Sequence, residues 1–232
     1  MTGVKMKNRF SVIKEHFERE AAVFDKNFAR FAPRYAEVIE ALVSSLPFPK
    51  GRRISVADLG CGTGNITKAL LKKYPRAHVT CIDLSGQMIS LAKAKLKGCK
   101  NIEFHVADLR EFKFGRYDAV ISSLVMHHFE KGDKKAFYRK IYDCLKKGGV
   151  FYNADITLAS NRYLQLMYME KWLEFLRKGC SPAEIKRMLN NHKREDRPAS
   201  LMKEMQTLAK AGFKDIDVIY KWYYFSVYGG VK

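Results

Sequence analysis

Between residues 54 and 154 the sequence alternates short β-branched runs with segments of helical spacing, and this alternation constrains the fold more than any other feature. Strands are predicted at 54–59, 78–82, 102–107, 117–122 and 150–154, and helices at 65–74, 87–97 and 134–145, with Pro75 ending the first helix. Helices of this length between strands imply right-handed crossovers, and hence an α/β fold with a mostly parallel sheet covered on both faces.

The flanks differ from this core. Residues 8–46 carry apolar positions at helical spacing, interrupted at Pro33. Further helices are predicted at 163–177, 182–190 and 201–211, with a polar run at 192–198 between the last two. The aromatic-rich runs 213–220 and 222–228 are joined by too few residues for a crossover, so they are predicted to form an antiparallel hairpin at the sheet edge. No internal repeat or flexible linker divides the chain. A single domain over 1–232 is expected: a helical N-terminal cap (8–46), a binding core (52–156), a helical insertion (157–200), and a last helix with the hairpin (201–232).

Composition narrows the function classes. A chain of 232 residues with 47% apolar content can fill one substantial core, which excludes disorder and collagen-like repetition. Its 43 basic against 24 acidic residues give a formal charge of +19, a surplus that favours polyanionic surroundings without naming a partner. The apolar stretch around 119–126 is far short of the roughly 18 residues of a membrane span, and the N-terminus is charged where a signal peptide is apolar. A cytoplasmic protein without membrane contact is expected. The five cysteines show neither C-x-x-C nor a Cys/His cluster, so no disulfide or structural metal site is expected. Cys61 reads as a small thiol packed in a turn.

The strongest chemical signal is Asp58-Leu59-Gly60-Cys61-Gly62-Thr63-Gly64, where a strand runs through three alternating glycines into a helix. Glycines there permit positive φ and close approach of backbone to a ligand. Asp83 ends the second strand, 19 residues after Gly64, where a carboxylate can accept both hydroxyl protons of a ribose. Asp108 closes the third strand, and its carboxylate can accept from an adenine amino group or cap a helix. A nucleotide dehydrogenase would read G-x-G-x-x-G and has no use for a second acidic strand end.

With Ile82-Asp-Leu-Ser-Gly-Gln-Met, Val106-Ala-Asp-Leu, Tyr117-Asp-Ala-Val-Ile-Ser-Ser-Leu-Val-Met-His-His-Phe and Leu145-Lys-Lys-Gly-Gly-Val in the same order, the chain resembles the class I S-adenosylmethionine-dependent methyltransferases over about 54–155. The resemblance implies a Rossmann-like sheet of seven strands, mostly parallel with the last antiparallel. It also implies S-adenosyl-L-methionine as cofactor. Asp58, Gly60, Gly62 and Gly64 would then belong to the cofactor-binding set at the methionine end, and Asp83 would hold the ribose. Leu84 and Met88 would flank the adenine, Asp108 and Leu109 would touch its edge, and the backbone near Ser123 would meet the methionine amino group.

Methyl transfer from a sulfonium mainly needs positioning and exclusion of water, so few catalytic side chains are required. Where the acceptor must lose a proton, His127 and His128, just past the fourth strand, are the candidate bases. His16, His78, His105 and His192 stand isolated in the sequence and receive no role. Phe24, Phe28, Phe31 and Tyr35 are candidates to cover the strand tips, or to pack as ordinary core.

A narrower resemblance, carried by Ala22-Val-Phe-Asp, Pro33-Arg-Tyr, Ile185-Lys-Arg-Met-Leu and Ala211-Gly-Phe, is to the carboxy-S-adenosylmethionine synthases of transfer-RNA wobble-uridine modification. It implies that Tyr35 and Arg187 would read an extra carboxylate. The chain departs from that pattern with Gly62-Thr63 in place of serine and leucine, and with Ser123 in place of asparagine. The basic residues are spread over the chain rather than gathered into a stripe, and Ser122-Ser123-Leu124-Val125 stands where nucleobase-amine methylating enzymes carry N/D-P-P-Y/F. A small-molecule acceptor is therefore expected over a nucleic acid, with carboxy-cofactor synthesis or nucleic-acid methylation as alternatives. The sequence is equally compatible with a monomer and a homodimer.

Overall fold

The computed structural model describes residues 9–232, so the first residue of the 8–46 cap, like the charged N-terminus, lies outside the described residues. The chain runs α1 (Arg9–Glu20), a 3-10 turn (Ala21–Val23), α2 (Phe24–Phe31), α3 (Tyr35–Ser44), β1 (Ser55–Leu59), α4 (Asn65–Lys73), β2 (His78–Asp83), α5 (Gly86–Lys95), β3 (Ile102–Val106) and β4 (Tyr117–Ser123). There follow a second 3-10 turn (Met126–His128), α6 (Lys131–Cys144), β5 (Leu145–Ile156), α7 (Arg162–Arg177), α8 (Pro182–Glu195), α9 (Leu201–Ala211), β6 (Lys214–Trp222) and β7 (Phe225–Val231).

The seven strands form one sheet in the order β3-β2-β1-β4-β5-β7-β6. The pairs from β3 to β5 are parallel, whereas β7 runs antiparallel to both β5 and β6, the edge hairpin predicted from the two aromatic runs. Residue alternation along each strand divides the core. Val56, Val79 and Ile121 face Val38 and Leu42 of α3 and Leu70 of α4, while Ala57, Val120 and Phe151 face Tyr138 and Ile141 of α6 and Leu208 of α9. Both faces are thus buried, as a parallel sheet requires.

The predicted elements differ from the observed ones mainly around the insertion. Helix α8 starts at a capping box, with the Ser181 side chain accepting from the Glu184 backbone and Pro182 in the first turn, and it continues to Glu195. The polar run 192–198 is therefore helical over its first half, because His192 and Glu195 project toward polar partners instead of solvent. Strand β5 begins at Leu145 and is correspondingly longer than predicted.

A third apolar cluster, separate from the two sheet faces, joins the cap to the insertion. Ala32, Trp172, Leu176, Tyr224 and Phe225 are buried there, with Phe28, Phe31 and Tyr35 packed against them. The Trp172 indole donates to the Phe31 carbonyl at 3.0 Å, and Arg30 donates to the Gly179 carbonyl and to the Glu184 carboxylate. Both segments consequently lie over the C-terminal tips of the central strands, where open α/β sheets bind ligands.

Candidate active site beneath the helical cap

The floor of the site is the loop between β1 and α4. Gly60, Gly62 and Gly64 adopt φ of 68°, 53° and 83°, a left-handed region closed to most side chains. A Cβ on Gly60 would stand 2.2 Å from the Val125 Cγ2, so the missing side chain is what lets the loop after β4 approach this turn. At Gly62 a Cβ would meet nothing nearer than Phe24 at 4.0 Å, and its backbone faces the cavity.

Asp83 is fixed by the same loop. Its Oδ2 accepts from the Gly62 N–H at 2.8 Å and its Oδ1 from the Ser85 N–H at 2.9 Å. Burial raises its pKa against those donors. Asp58 lies behind the loop, outside the cavity lining, where its Oδ2 accepts from the Thr67 hydroxyl and its Oδ1 is buried without a partner. Burial pushes the Asp58 carboxyl up to about 7. Asp108 forms a two-oxygen pair with Arg110, and the Arg110 guanidinium stacks 3.7 Å over the Phe10 ring. Burial works against ionisation of Asp108, but Arg110 outweighs it and lowers the pKa.

The cap is tied to this floor by Asp25 of α2. Its carboxylate accepts from the Thr63 hydroxyl at 2.6 Å, the Asn65 amide at 3.0 Å and the Lys95 ammonium at 2.6 Å. Between floor and cap lies a cavity of about 310 Å³. Leu84, Met88, Leu109 and Ser123 line its floor with Gly60, Gly62, Asp83 and Asp108, whereas Gly64, like Asp58, is not among its lining residues. Phe10, Phe17, Phe24, Phe28, Tyr35 and Trp172 form the roof, and Arg187 enters from α8. The phenylalanines of the cap are thus both packing and lining.

One end of the cavity is polar. His127 Nδ1 meets Asp155 Oδ1 at 2.5 Å, and the His127 N–H donates to Asp155 Oδ2 at 2.9 Å. Burial lowers the His127 pKa, but Asp155 and Asp196 outweigh it and the net shift is upward. Asp196 Oδ1 lies 3.5 Å from His127 Nε2 and 3.2 Å from His128 Nδ1, and Asp196 Oδ2 is 2.6 Å from His192 Nδ1. His128 is oriented so that neither ring nitrogen has a hydrogen-bond partner although both are buried. Burial and the neighbouring His127 lower its pKa. His192 Nε2 in turn meets the Tyr224 hydroxyl at 2.8 Å, and His16 Nδ1 meets Glu195 Oε2 at 2.5 Å.

The two histidines flagged in the sequence are therefore part of a larger group. His16 and His192, isolated in sequence, are brought to it by α1 and α8, and Asp155, Glu195 and Asp196 went unnoticed. Two signals pointed to them. Asp155 is an acid at a strand's C-terminal end, as Asp83 and Asp108 are, and His192 and Asp196 stand at i, i+4 helical spacing.

A family model described as "Methyltransferase domain" matches residues 56–149. The carboxy-S-adenosyl-L-methionine synthase of Nautilia profundicola is 27% identical over 94% of each chain, and that of Helicobacter hepaticus is 29% identical over 87% of each. Among solved structures, human N-acetylserotonin methyltransferase in complex with SAM superposes with a TM-score of 0.70 at 19% identity, covering 99% of this chain and 60% of that one. The DhpI–SAM–HEP complex superposes with a TM-score of 0.68 at 19% identity, covering 97% of this chain and 99% of that one. Among the described residues no helix is long and apolar enough to cross a membrane.

Proposed function

We propose that the chain is a class I S-adenosylmethionine-dependent methyltransferase and that it methylates a small molecule held in the cavity beneath α1, α2, α7 and α8, a reading supported by the methyltransferase-domain match over residues 56–149 and by the fold. The observation that carries this is that one cavity of about 310 Å³ is lined by the glycine loop and Asp83 on one side and by the aromatic roof and the histidine pair on the other. Methyl transfer needs donor and acceptor in line within one water-poor enclosure, and a single largely apolar cavity supports that reading.

The residues present fit S-adenosylmethionine. Backbone faces the cavity at Gly62, and the Asp83 carboxylate is held by two backbone donors yet keeps lone pairs for a diol. When bound, the cofactor supplies a methyl group on a positively charged sulfur. Asp83 would hold the ribose, Leu84 and Met88 would flank the base, Asp108 and Leu109 would meet its edge, and Gly60, Gly62 and the backbone near Ser123 would receive the methionine end. Asp58 and Gly64 would act from behind, by shaping the loop. His127 and His128 would stand on the acceptor side of the cavity. A cavity of about 310 Å³ roofed by aromatic side chains favours a small acceptor, and a cytoplasmic location fits such a role.

The test is release of S-adenosylhomocysteine, followed by mass spectrometry with a panel of phenols, carboxylic acids and amines beside unmodified transfer RNA. Turnover with a small acceptor is the expected result. Turnover with transfer RNA alone, through binding that weakens steeply with salt, would replace this reading.

A second reading, a carboxy-S-adenosylmethionine synthase-like activity, is favoured by the curated relatives and by the shared position of Tyr35 and Arg187 on the cavity. It predicts a co-purified ligand heavier than S-adenosylmethionine by one carboxylate, lost in Arg187→Ala.

A further inference from the structure

The polar end of the cavity has a feature that acceptor binding alone leaves unexplained. Three potential donor atoms, one each from His127, His128 and Asp196, lie within 4.8 Å of one another. Asp196 Oδ1 is 3.2 Å from one imidazole nitrogen and 3.5 Å from the other. A zinc ion with bonds of about 2.0–2.1 Å in tetrahedral geometry separates its donors by about 3.3 Å. The His128 ring is buried, its Nδ1 has only the 3.2 Å ion-pair contact with Asp196 Oδ1, and neither of its nitrogens makes a hydrogen bond of good geometry, a costly arrangement for a polar group facing a largely apolar cavity. Two imidazole nitrogens and one carboxylate oxygen this close together, at spacings near those a tetrahedral ion imposes, describe a ligand set.

We propose that His127, His128 and Asp196 bind one divalent first-row metal ion, with zinc as the natural occupant of two nitrogens and one carboxylate oxygen. Supporting contacts already in place match those of metal centres. Asp155 takes the Nδ1 side of His127 and so directs Nε2 toward Asp196. His192 holds Asp196 Oδ2, and Tyr224 holds His192, leaving Oδ1 for the ion. Carboxylates and imidazoles that orient ligands in this way are the second layer of most such sites. All three ligands line the cavity, so the fourth position opens on the space assigned to the acceptor. Three protein ligands with one open position is the pattern of a catalytic rather than a structural site. The ligand it would take there is an anionic or ionisable oxygen: a carboxylate, phenolate or enolate. This assignment deepens the small-acceptor reading by naming the group that the acceptor presents.

The experiment uses the full-length protein, stripped with a chelator and dialysed. Zinc chloride is titrated by calorimetry in the absence of any cofactor, and cobalt chloride is titrated in parallel by visible absorption. Expected are one equivalent of zinc and the visible bands of four- or five-coordinate cobalt. Asp196→Asn and His128→Phe should each weaken the affinity about 100-fold, and Asp83→Asn should leave it unchanged. The phenylalanine keeps the edge contact that His128 makes with Phe17, at 5.8 Å between ring centroids, and thermal melting verifies that both variants are folded. Zinc X-ray absorption on the unaltered protein gives a count independent of the variants, with two imidazoles expected. Absence of stoichiometric binding, equal affinity in the folded variants, or a sulfur-rich shell would overturn the assignment. S-adenosylmethionine binding, measured separately on stripped protein, tests the methyltransferase reading independently.

Discussion

Substitution Gly60→Ala tests how the glycine loop and the histidine turn are joined. Gly60 has φ of 68°, for which a side chain costs about 1–2 kcal/mol. Its new Cβ would also stand 2.2 Å from Val125 Cγ2, against a normal contact of about 3.5–4.0 Å, and such overpacking costs about 1–3 kcal/mol. The sum is about 2–5 kcal/mol, or a fall in melting temperature of about 4–20 °C for a chain of this size. Gly62→Ala is the control, because its φ of 53° carries the same backbone cost while its nearest neighbour is 4.0 Å away. Val125→Ala removes the clashing methyl and leaves Val125 Cβ at an acceptable 3.4 Å, at an intrinsic cost of about 1.5 kcal/mol for two lost methyl groups. The double variant Gly60→Ala/Val125→Ala should therefore be more stable than the sum of the singles by about 1–3 kcal/mol. Urea unfolding of the four proteins measures this coupling. Val125 immediately precedes the turn that carries His127 and His128, so the single variant should also lose cofactor affinity and the double should regain part of it. Equal destabilisation by Gly60→Ala and Gly62→Ala, together with strict additivity in the cycle, would refute the steric account.

Three further outcomes are expected. Asp83→Asn should keep the fold and lose about 2–3 kcal/mol of cofactor binding, or roughly 30–150-fold, by calorimetry, because the loss of the carboxylate removes a charge-assisted acceptor. The buried pair of Lys134 and Glu204, 2.6 Å apart, should cost about 3–5 kcal/mol when Glu204→Ala strands the ammonium, and much less in Lys134→Met/Glu204→Leu, as read from urea unfolding. Asp58, whose folded pKa is raised to about 7, binds its proton more tightly in the native state than in the unfolded chain. Its contribution to stability is therefore fully present below about pH 4 and is lost as pH rises through about 7, so Asp58→Asn should flatten that part of the pH–stability curve.

Much of the fold was legible because the parallel core advertises itself: near-continuous burial along β1, β2 and β4, with helical spacing between them, is demanded by a sheet covered on both faces. The glycine loop and Asp83 were legible for a related reason, since strand ends after tight turns are where backbone and carboxylate can meet a ligand. What escaped was the polar group. His16, Asp155 and the pair His192 and Asp196 come from α1, β5 and the end of α8, and no single local motif joins them. Hydrophobic periodicity is also blind to a helix whose buried face is polar, which is why α8 was read as ending before His192. Asp108 shows a further limit: the strand end was recognised, but its pairing with Arg110 two residues later was not. The absence of a Cys/His cluster in the sequence likewise says little about ligands gathered from distant segments.

The contacts behind Asp155 bear on how the site could be tuned. Lys134 and the Tyr138 hydroxyl share Glu204, Tyr138 lies 3.3 Å from the Tyr228 hydroxyl, Asn153 reaches Tyr228, and Asn153 and His127 both reach Asp155. The aim of one imidazole is thus anchored from deep within the protein, through groups that no ligand touches. A change at Glu204 or Tyr228 would act like the adjusting screw of an optical mount, re-pointing the histidine while every surface in contact with the reactants keeps its chemistry.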